Sequence, residues 1–220
     1  ALNGLNLVNT KYVIYPTGKT QEASFIQNQL ALGNVWFVKD IKTVATANEE
    51  LDAVATINPK YTAVMQAKYA DKLAGLKPTF DSTNTIKISN YIPDHITYES
   101  DAKTEQLAVF SEVFYPEAKG MNIYIDGQKQ EGALLKADYI LRACKVPAGK
   151  HKIEVKFEPR AYYTGINIAR TGSLFTLLLL GYALWLTYKK KEYTEEEVEI
   201  IHATEIPKDV LSSQSTKKKK

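Results

Sequence analysis

Residues 171–188, TGSLFTLLLLGYALWLTY, contain no charged side chain, and Leu174 to Leu180 is their apolar centre. At a rise of roughly 1.5 Å per residue such a run spans about 27 Å, close to the roughly 30 Å hydrocarbon thickness of a bilayer. Arg170 and Lys189 flank it and can snorkel, while Tyr182, Trp185 and Tyr188 suit an interfacial belt. A buried helix of a soluble domain is the competing reading. It rarely ends in a sequence such as Lys189-Lys190-Lys191, which follows here directly. The run therefore reads as one transmembrane helix over 168–188. The lysines after it, against the single Arg170 before it, place the C-terminus in the cytoplasm.

Everything else is arranged around that helix. The tail, 189–220, carries Glu195-Glu196-Glu197 and ends in four lysines. Thr194 followed by acids suits a short helix through Ile201, and the Ser-, Gln- and Lys-rich stretch beyond Pro207 suits disorder. The terminal lysines can touch anionic lipid, although a solvated tail is the simpler reading. The chain begins Ala1-Leu2-Asn3-Gly4, with neither an initiator Met nor a basic-then-apolar leader. It is expected to be a fragment whose delivery depends on something upstream.

The strongest strand signal is His151 to Glu158, where His151, Ile153, Val155 and Phe157 alternate with Lys152, Glu154, Lys156 and Glu158. A period of two means one buried and one wet face. Pro147-Ala148-Gly149 suits a type I turn joining it to a strand over Tyr139–Val146. Residues 107–115 and 121–125 read as further strands, Asp126-Gly127 is a two-residue hairpin signal, and 86–88 and 95–99 add two more. Six or so short strands at this spacing point to an antiparallel sandwich over 85–166. The first eighty residues are mixed. Residues 11–15 and 35–38 are short strand-like runs, and 61–65 is another. Thr46 with Glu49 forms a capping-box pattern ahead of a helix over 49–57, which Asn58-Pro59 stops, and 67–73 suits a short helix. The fold class is thus α+β, mainly β: an antiparallel β-sandwich of carbohydrate-binding-module-like form, preceded by a small mixed α/β region over 1–80 and followed by one membrane helix.

Composition excludes more than it identifies. Apolar residues make up 45% of the chain, enough for a core, and a net charge of +3 with interspersed signs lacks the basic stripe of a nucleic-acid binder. Cys144 is the only cysteine, so no internal disulfide forms, and its apolar-alternating surroundings suit a small buried hydrophobe. Gly18-Lys19-Thr20 ends like a phosphate loop, but Val13 stands where the first glycine is required, so a surface turn is expected. His95, His151 and His202 have no metal-ligand spacing among themselves or with Cys144. No nucleophile elbow and no cysteine–histidine pair occurs. No catalytic, cofactor-binding or metal-binding residue is assigned, and no cofactor is expected. Of the 14 tyrosines, Tyr91, Tyr98, Tyr115, Tyr124 and Tyr139 lie on or beside predicted strands. Such rings serve sheet packing or, with a face exposed, carbohydrate stacking. Trp36, Tyr91, Tyr98, Tyr115 and Tyr124 are the candidate glycan contacts.

The ordered segments VNTKYVIYP, ALGNVWFV, YIPDHITYES, LAVFSEVFYP, IYIDGQ and YILRACKVPAGKHKIEVKFEP, followed by one membrane helix, resemble the C-terminal part of the bacterial YfhO-type membrane protein family, Bacteroidetes-like members above all. The likeness runs from about Leu5 to Lys191. It departs at Met121, where the family often has Trp after the glycine. The resemblance implies a polytopic parent similar to GT-C glycosyltransferases, which transfer a sugar from a polyprenyl-phosphate donor outside the cytoplasmic membrane. The implied catalytic acid lies in an early outer loop, so no position here inherits it, and whether the chain belongs to an enzyme is left to that resemblance. It further implies a bacterial cytoplasmic-membrane protein with residues 1–166 outside. The expected partners are the bilayer, upstream membrane helices of the same protein, and a cell-envelope glycan or polyprenyl-linked sugar. Two roles follow, binding or orienting a glycan acceptor, or capping the parent membrane domain without a ligand.

Overall fold

The computed structural model describes residues 3–16 and 23–203. The Gly18-Lys19-Thr20 turn and the tail beyond Ala203, with its terminal lysines, lie outside the described residues. The chain divides after Arg160 into two units. In order, the first holds α1 (Asn3–Leu7), β1 (Tyr12–Pro16), β2 (Ala23–Gln27), β3 (Val35–Val38), β4 (Asp40–Val44), α2 (Ala47–Thr56), β5 (Thr62–Gln66) and α3 (Ala70–Leu73). Then follow β6 (Thr85–Ile92), β7 (His95–Ala102), β8 (Gln106–Val113), β9 (Met121–Ile125), β10 (Gln128–Lys129), β11 (Leu135–Ala137), β12 (Leu141–Val146) and β13 (Gly149–Phe157).

The α+β, mainly β, character is borne out. Two antiparallel sheets carry most of the strands, one ordered β10-β9-β13-β7-β6 and the other β11-β12-β8-β3. They share a core of Ile96, Tyr98, Ile123, Ile125, Ile153 and Val155 from the first, and Val35, Ala108, Phe110, Cys144 and Val146 from the second. A second core covers the opposite face of the four-stranded sheet, where Trp36, Val38, Leu107, Val109, Leu141 and Ala143 meet Ala53 and Val54 of α2 and Ala63 to Met65 of β5. The run Gln106 to Phe110 is therefore buried at every position, since each face of β8 has its own apolar neighbour. Burying each large side chain contributes roughly 1.5–3 kcal/mol, so β8 anchors both cores.

Local signals act as the chemistry requires. The Thr46 hydroxyl accepts the Glu49 N–H at 3.3 Å while Glu49 Oε2 accepts the Ala45 N–H at 3.0 Å, satisfying two free donors at the start of α2. β4 and β5 then pair in parallel across α2, the small α/β unit of the chain. Asp126 (φ 52°) and Gly127 (φ 80°) make the tight turn between β9 and β10, with both central residues in the left-handed region that a two-residue hairpin demands. The Pro147-Ala148 link does not close a hairpin, because β12 and β13 belong to different sheets. The expected boundary near residue 80 is likewise no seam in the pairing, since β3 runs beside β8 with Val35 opposite Phe110.

The second unit is helical. Helix α4 (Arg160–Ala203) is continuous, so the short helix expected from Thr194 is its last part rather than a separate element. Its portion Arg160–Lys189 is apolar and long enough to cross a membrane, and none of its apolar window is buried in protein. That is the arrangement expected of a helix whose solvent is lipid.

Candidate functional site

The five candidate aromatics do not converge on one surface. Tyr98 shares the inward parity of Ile96 on β7, is fully buried, and meets Phe110 edge-on with ring centroids 4.8 Å apart. Burial pushes its hydroxyl pKa up, and that oxygen finds no hydrogen-bond partner among the described residues. Trp36 is buried in the other core, and its Nε1–H donates to the Pro59 carbonyl at 3.0 Å. Neither ring is free to stack on a sugar, which corrects two of the five assignments. Tyr124 donates its hydroxyl to Glu158 Oε2 at 2.7 Å, and Lys156 Nζ lies 4.5 Å from its ring centroid. Only Tyr91 and Tyr115 are largely exposed, and Tyr115 packs edge-on to Phe157 at 5.8 Å.

The outer face of the five-stranded sheet is a charge network rather than an aromatic cleft. Register places Tyr124, Glu154 and Thr97 in one row, and Asn122, Lys156 and His95 in the next. Glu154 is buried by its neighbours, which opposes its charge. His95 Nε2 at 2.7 Å and the Lys152 and Lys156 ammonium groups at 3.4 Å each outweigh that cost and hold the carboxyl below its usual range. Glu158 is likewise held low, chiefly by the Tyr124 hydroxyl, with Asn122 Nδ2 donating at 2.8 Å. Both carboxylates are saturated with donors, so neither is poised as a general acid.

Two further ionisable constellations are built into turns. His151 has carboxylate Oδ2 of Asp126 at 2.6 Å from Nδ1 and the Ala148 carbonyl at 3.0 Å from Nε2. Both partners are acceptors, so the imidazolium satisfies both contacts and its pKa is raised, first by Asp126 and then by the carbonyl. Asp126 Oδ1 also accepts the Lys152 N–H at 2.9 Å, tying the hairpin turn to β13. In the second, Asp138 (φ 48°) and Glu50 are buried together. Asp138 Oδ1 accepts the Val64 N–H at 2.7 Å, and burial, with the Glu50 charge adding to it, pushes its pKa up to about 7. Glu50 accepts from Tyr139 N–H at 2.9 Å and Gln66 Nε2 at 2.6 Å. These contacts join α2, β5 and the turn before β12, which is a structural role.

Cys144 is fully buried and desolvation pushes its thiol up to about 12, so it is chemically inert. Among the described residues no grouping of three His, Cys, Asp or Glu side chains could hold a metal ion. Met121, at the departure from the family pattern, packs against the inter-sheet core with Arg142 Nη1 3.6 Å from its sulfur, so it fills space there.

The feature sequence reasoning missed is the β1–β2 hairpin. Its register puts Tyr12, Ile14 and Phe25 on one face and Val13, Tyr15 and Ile26 on the other. Ile14, Phe25 and Ile26 are exposed by 72, 65 and 59%. The hairpin is fixed at its base, where Asn28 N–H donates to the Lys11 carbonyl at 2.7 Å and Asn28 Nδ2 reaches Asn6 Oδ1 at 2.8 Å. Only residues 11–15 were legible as a strand. The signal for its partner was the run Ala23-Ser24-Phe25-Ile26-Gln27, with six residues between it and Pro16. No family model, curated protein or solved structure matches this chain.

Proposed function

We propose that this chain is an accessory domain of a polytopic membrane protein resembling the YfhO-type, GT-C-like glycosyltransferases, and that it acts as a structural and assembly cap on the parent's membrane helices. In this reading the domain stands outside the bacterial cytoplasmic membrane and residues from Lys189 onward are cytoplasmic. The observation that carries it is the β1–β2 hairpin. An isolated two-stranded hairpin is marginal in water, and this one exposes large apolar side chains on both faces. A protein surface of matching apolar chemistry would cover it. The six residues between its strands, 17–22, read Thr-Gly-Lys-Thr-Gln-Glu, a sequence too polar to enter hydrocarbon.

The glycan-orienting role rests on a different observation. The two facing sheets suit a sandwich of carbohydrate-binding-module-like form, and Tyr91 and Tyr115 keep exposed rings. A photo-crosslinking residue at Ile14 or Phe25, in the full-length protein in native membranes, separates the two. The cap reading expects cross-links to membrane helices of the same polypeptide. Absence of such cross-links, with Tyr91 or Tyr115 resonances shifting on sugar titration, would replace it by the glycan reading. Protease treatment of intact spheroplasts should reach the domain and spare the tail.

A further inference from the structure

The two ends of the paired sheets differ in chemistry. At one end lie the connections 79–84, 103–105, 126–127 and 147–148, where Lys103 pairs with Asp81, and Phe80, set edge-on to Tyr61, is the one exposed large apolar side chain among the described residues of these connections. At the other end Ile92 pairs with His95, His95 with Lys156, and Phe157 with Met121, so the β6–β7 turn and the start of β9 surround the last residue of β13. The Phe157 N–H donates to the Asp94 carbonyl at 2.8 Å, closing that turn against β13. The Tyr115–Phe157 ring contact brings the exit of β8 to the same place. Five exposed apolar side chains collect there: Tyr91, Ile92, Val113, Tyr115 and Phe157.

This is also the end from which the chain leaves for α4. The candidate span Arg160–Lys189 has 30 residues, about 45 Å of helix, against the 40–45 Å of a bilayer with its headgroup regions. With Lys189 at one headgroup layer, Arg160 lies at the other, and Arg170 snorkels toward it. Phe157 is three residues from Arg160, within roughly 10 Å of covalent reach. Tyrosines with an aliphatic neighbour are the side chains that partition to the headgroup level.

We infer that the rim of Tyr91, Ile92, Val113, Tyr115 and Phe157 is a lipid-docking surface, seating the strand ends in the headgroup region of the bilayer that α4 crosses. The rim shares no residue with the β1–β2 hairpin and is read by a different probe, so this inference does not depend on the cap reading. It does depend on α4 spanning the membrane.

The test uses the full chain in phosphatidylcholine nanodiscs with a single environment-sensitive fluorophore on Ile92→Cys, Lys103→Cys or Leu178→Cys. Buried Cys144 does not compete for label. With headgroup spin-labelled lipid, the Ile92 probe should lose roughly half or more of its emission, as a group seated about 5–10 Å into the interface would. The Lys103 probe, at the opposite end, should lose none. Equal quenching of the two overturns the inference. So does an Ile92 probe shielded from both lipid and aqueous quenchers, which would mean that protein, a second copy included, covers the rim. The Leu178 probe, read with acyl-chain spin label, reports separately whether α4 is in the bilayer.

Discussion

Asp138 makes stability depend on pH in a direction opposite to that of most carboxylates. Its side chain is 2% exposed, one oxygen accepts the Val64 N–H at 2.7 Å, and the other meets no partner among the described residues. Burial, with Glu50 beside it, raises the folded pKa to about 7 from 3.8. Lys136 Nζ lies 3.9 Å from Glu50 Oε2 and is a cation facing this pair. A carboxyl with a raised folded pKa binds a proton that the unfolded chain has released. Its contribution is complete below pH 3.8 and is lost as pH rises through about 7. The difference of roughly three pH units corresponds to about 4 kcal/mol, a large fraction of the roughly 5–15 kcal/mol that holds a domain folded. Asp138→Asn keeps an oxygen for the Val64 N–H and removes the titration. Pulse proteolysis in urea, on the full chain in nanodiscs from pH 5 to 8, should show wild-type stability falling by a few kcal/mol and the variant keeping only the shallower slope that His151 leaves. Parallel pH profiles for the two would refute the reasoning.

Two other perturbations follow from turns. At Gly120 (φ +105°) an added Cβ would lie 2.5 Å from Pro159 Cα, so Gly120→Ala meets both the left-handed penalty and a backbone clash. A loss of roughly 2–5 kcal/mol is expected by the same proteolysis assay, and a loss below about 1 kcal/mol would show that residues 158–159 can move aside. His151 should titrate above 6.5, and Asp126→Asn should bring it down, as read from its ring proton shifts. Because the folded value is the raised one, the pair stabilises at acidic pH and its contribution fades as pH rises through that value. An unchanged His151 titration in the variant would place the cause elsewhere.

The parts of this fold legible in sequence were those with a local cause. The strand over 151–157, the Thr46–Glu49 box and the Asp126-Gly127 turn each carry their own geometry and form where expected, although neighbours bury Glu154 on the wet face and Phe157 at the strand end is exposed. What distance decides was not legible. Nothing in Val35-Trp36-Phe37-Val38 says that its neighbour is β8, about seventy residues on, so a boundary near residue 80 was a natural expectation. The unbroken run Leu107 to Phe110 was a usable clue, since a strand with no polar position has no wet face. Parity offered another. His95 to Ala102 alternates with Ile96, Tyr98 and Ala102 on one side, which assigns Tyr98 to the core without any structure. For Tyr91, beyond the register shift after Ile88, parity gives no such answer.

The position of β8 between two cores has a consequence for synthesis. Trp36 and Val38 leave the ribosome long before Val109 and Leu107, their cross-strand neighbours in the same core. Neither core can close until β8 has been made, and the inter-sheet core also waits for β12 and β13. Pairings this remote in sequence are slow to form, and until they form they leave apolar edges open to misassociation. A chain arrested before residue 106 should thus be a holdase client, while one released after residue 157 should not. The same late closure ties the maturation of the small α/β unit to the arrival of the helix that is long and apolar enough to cross a membrane.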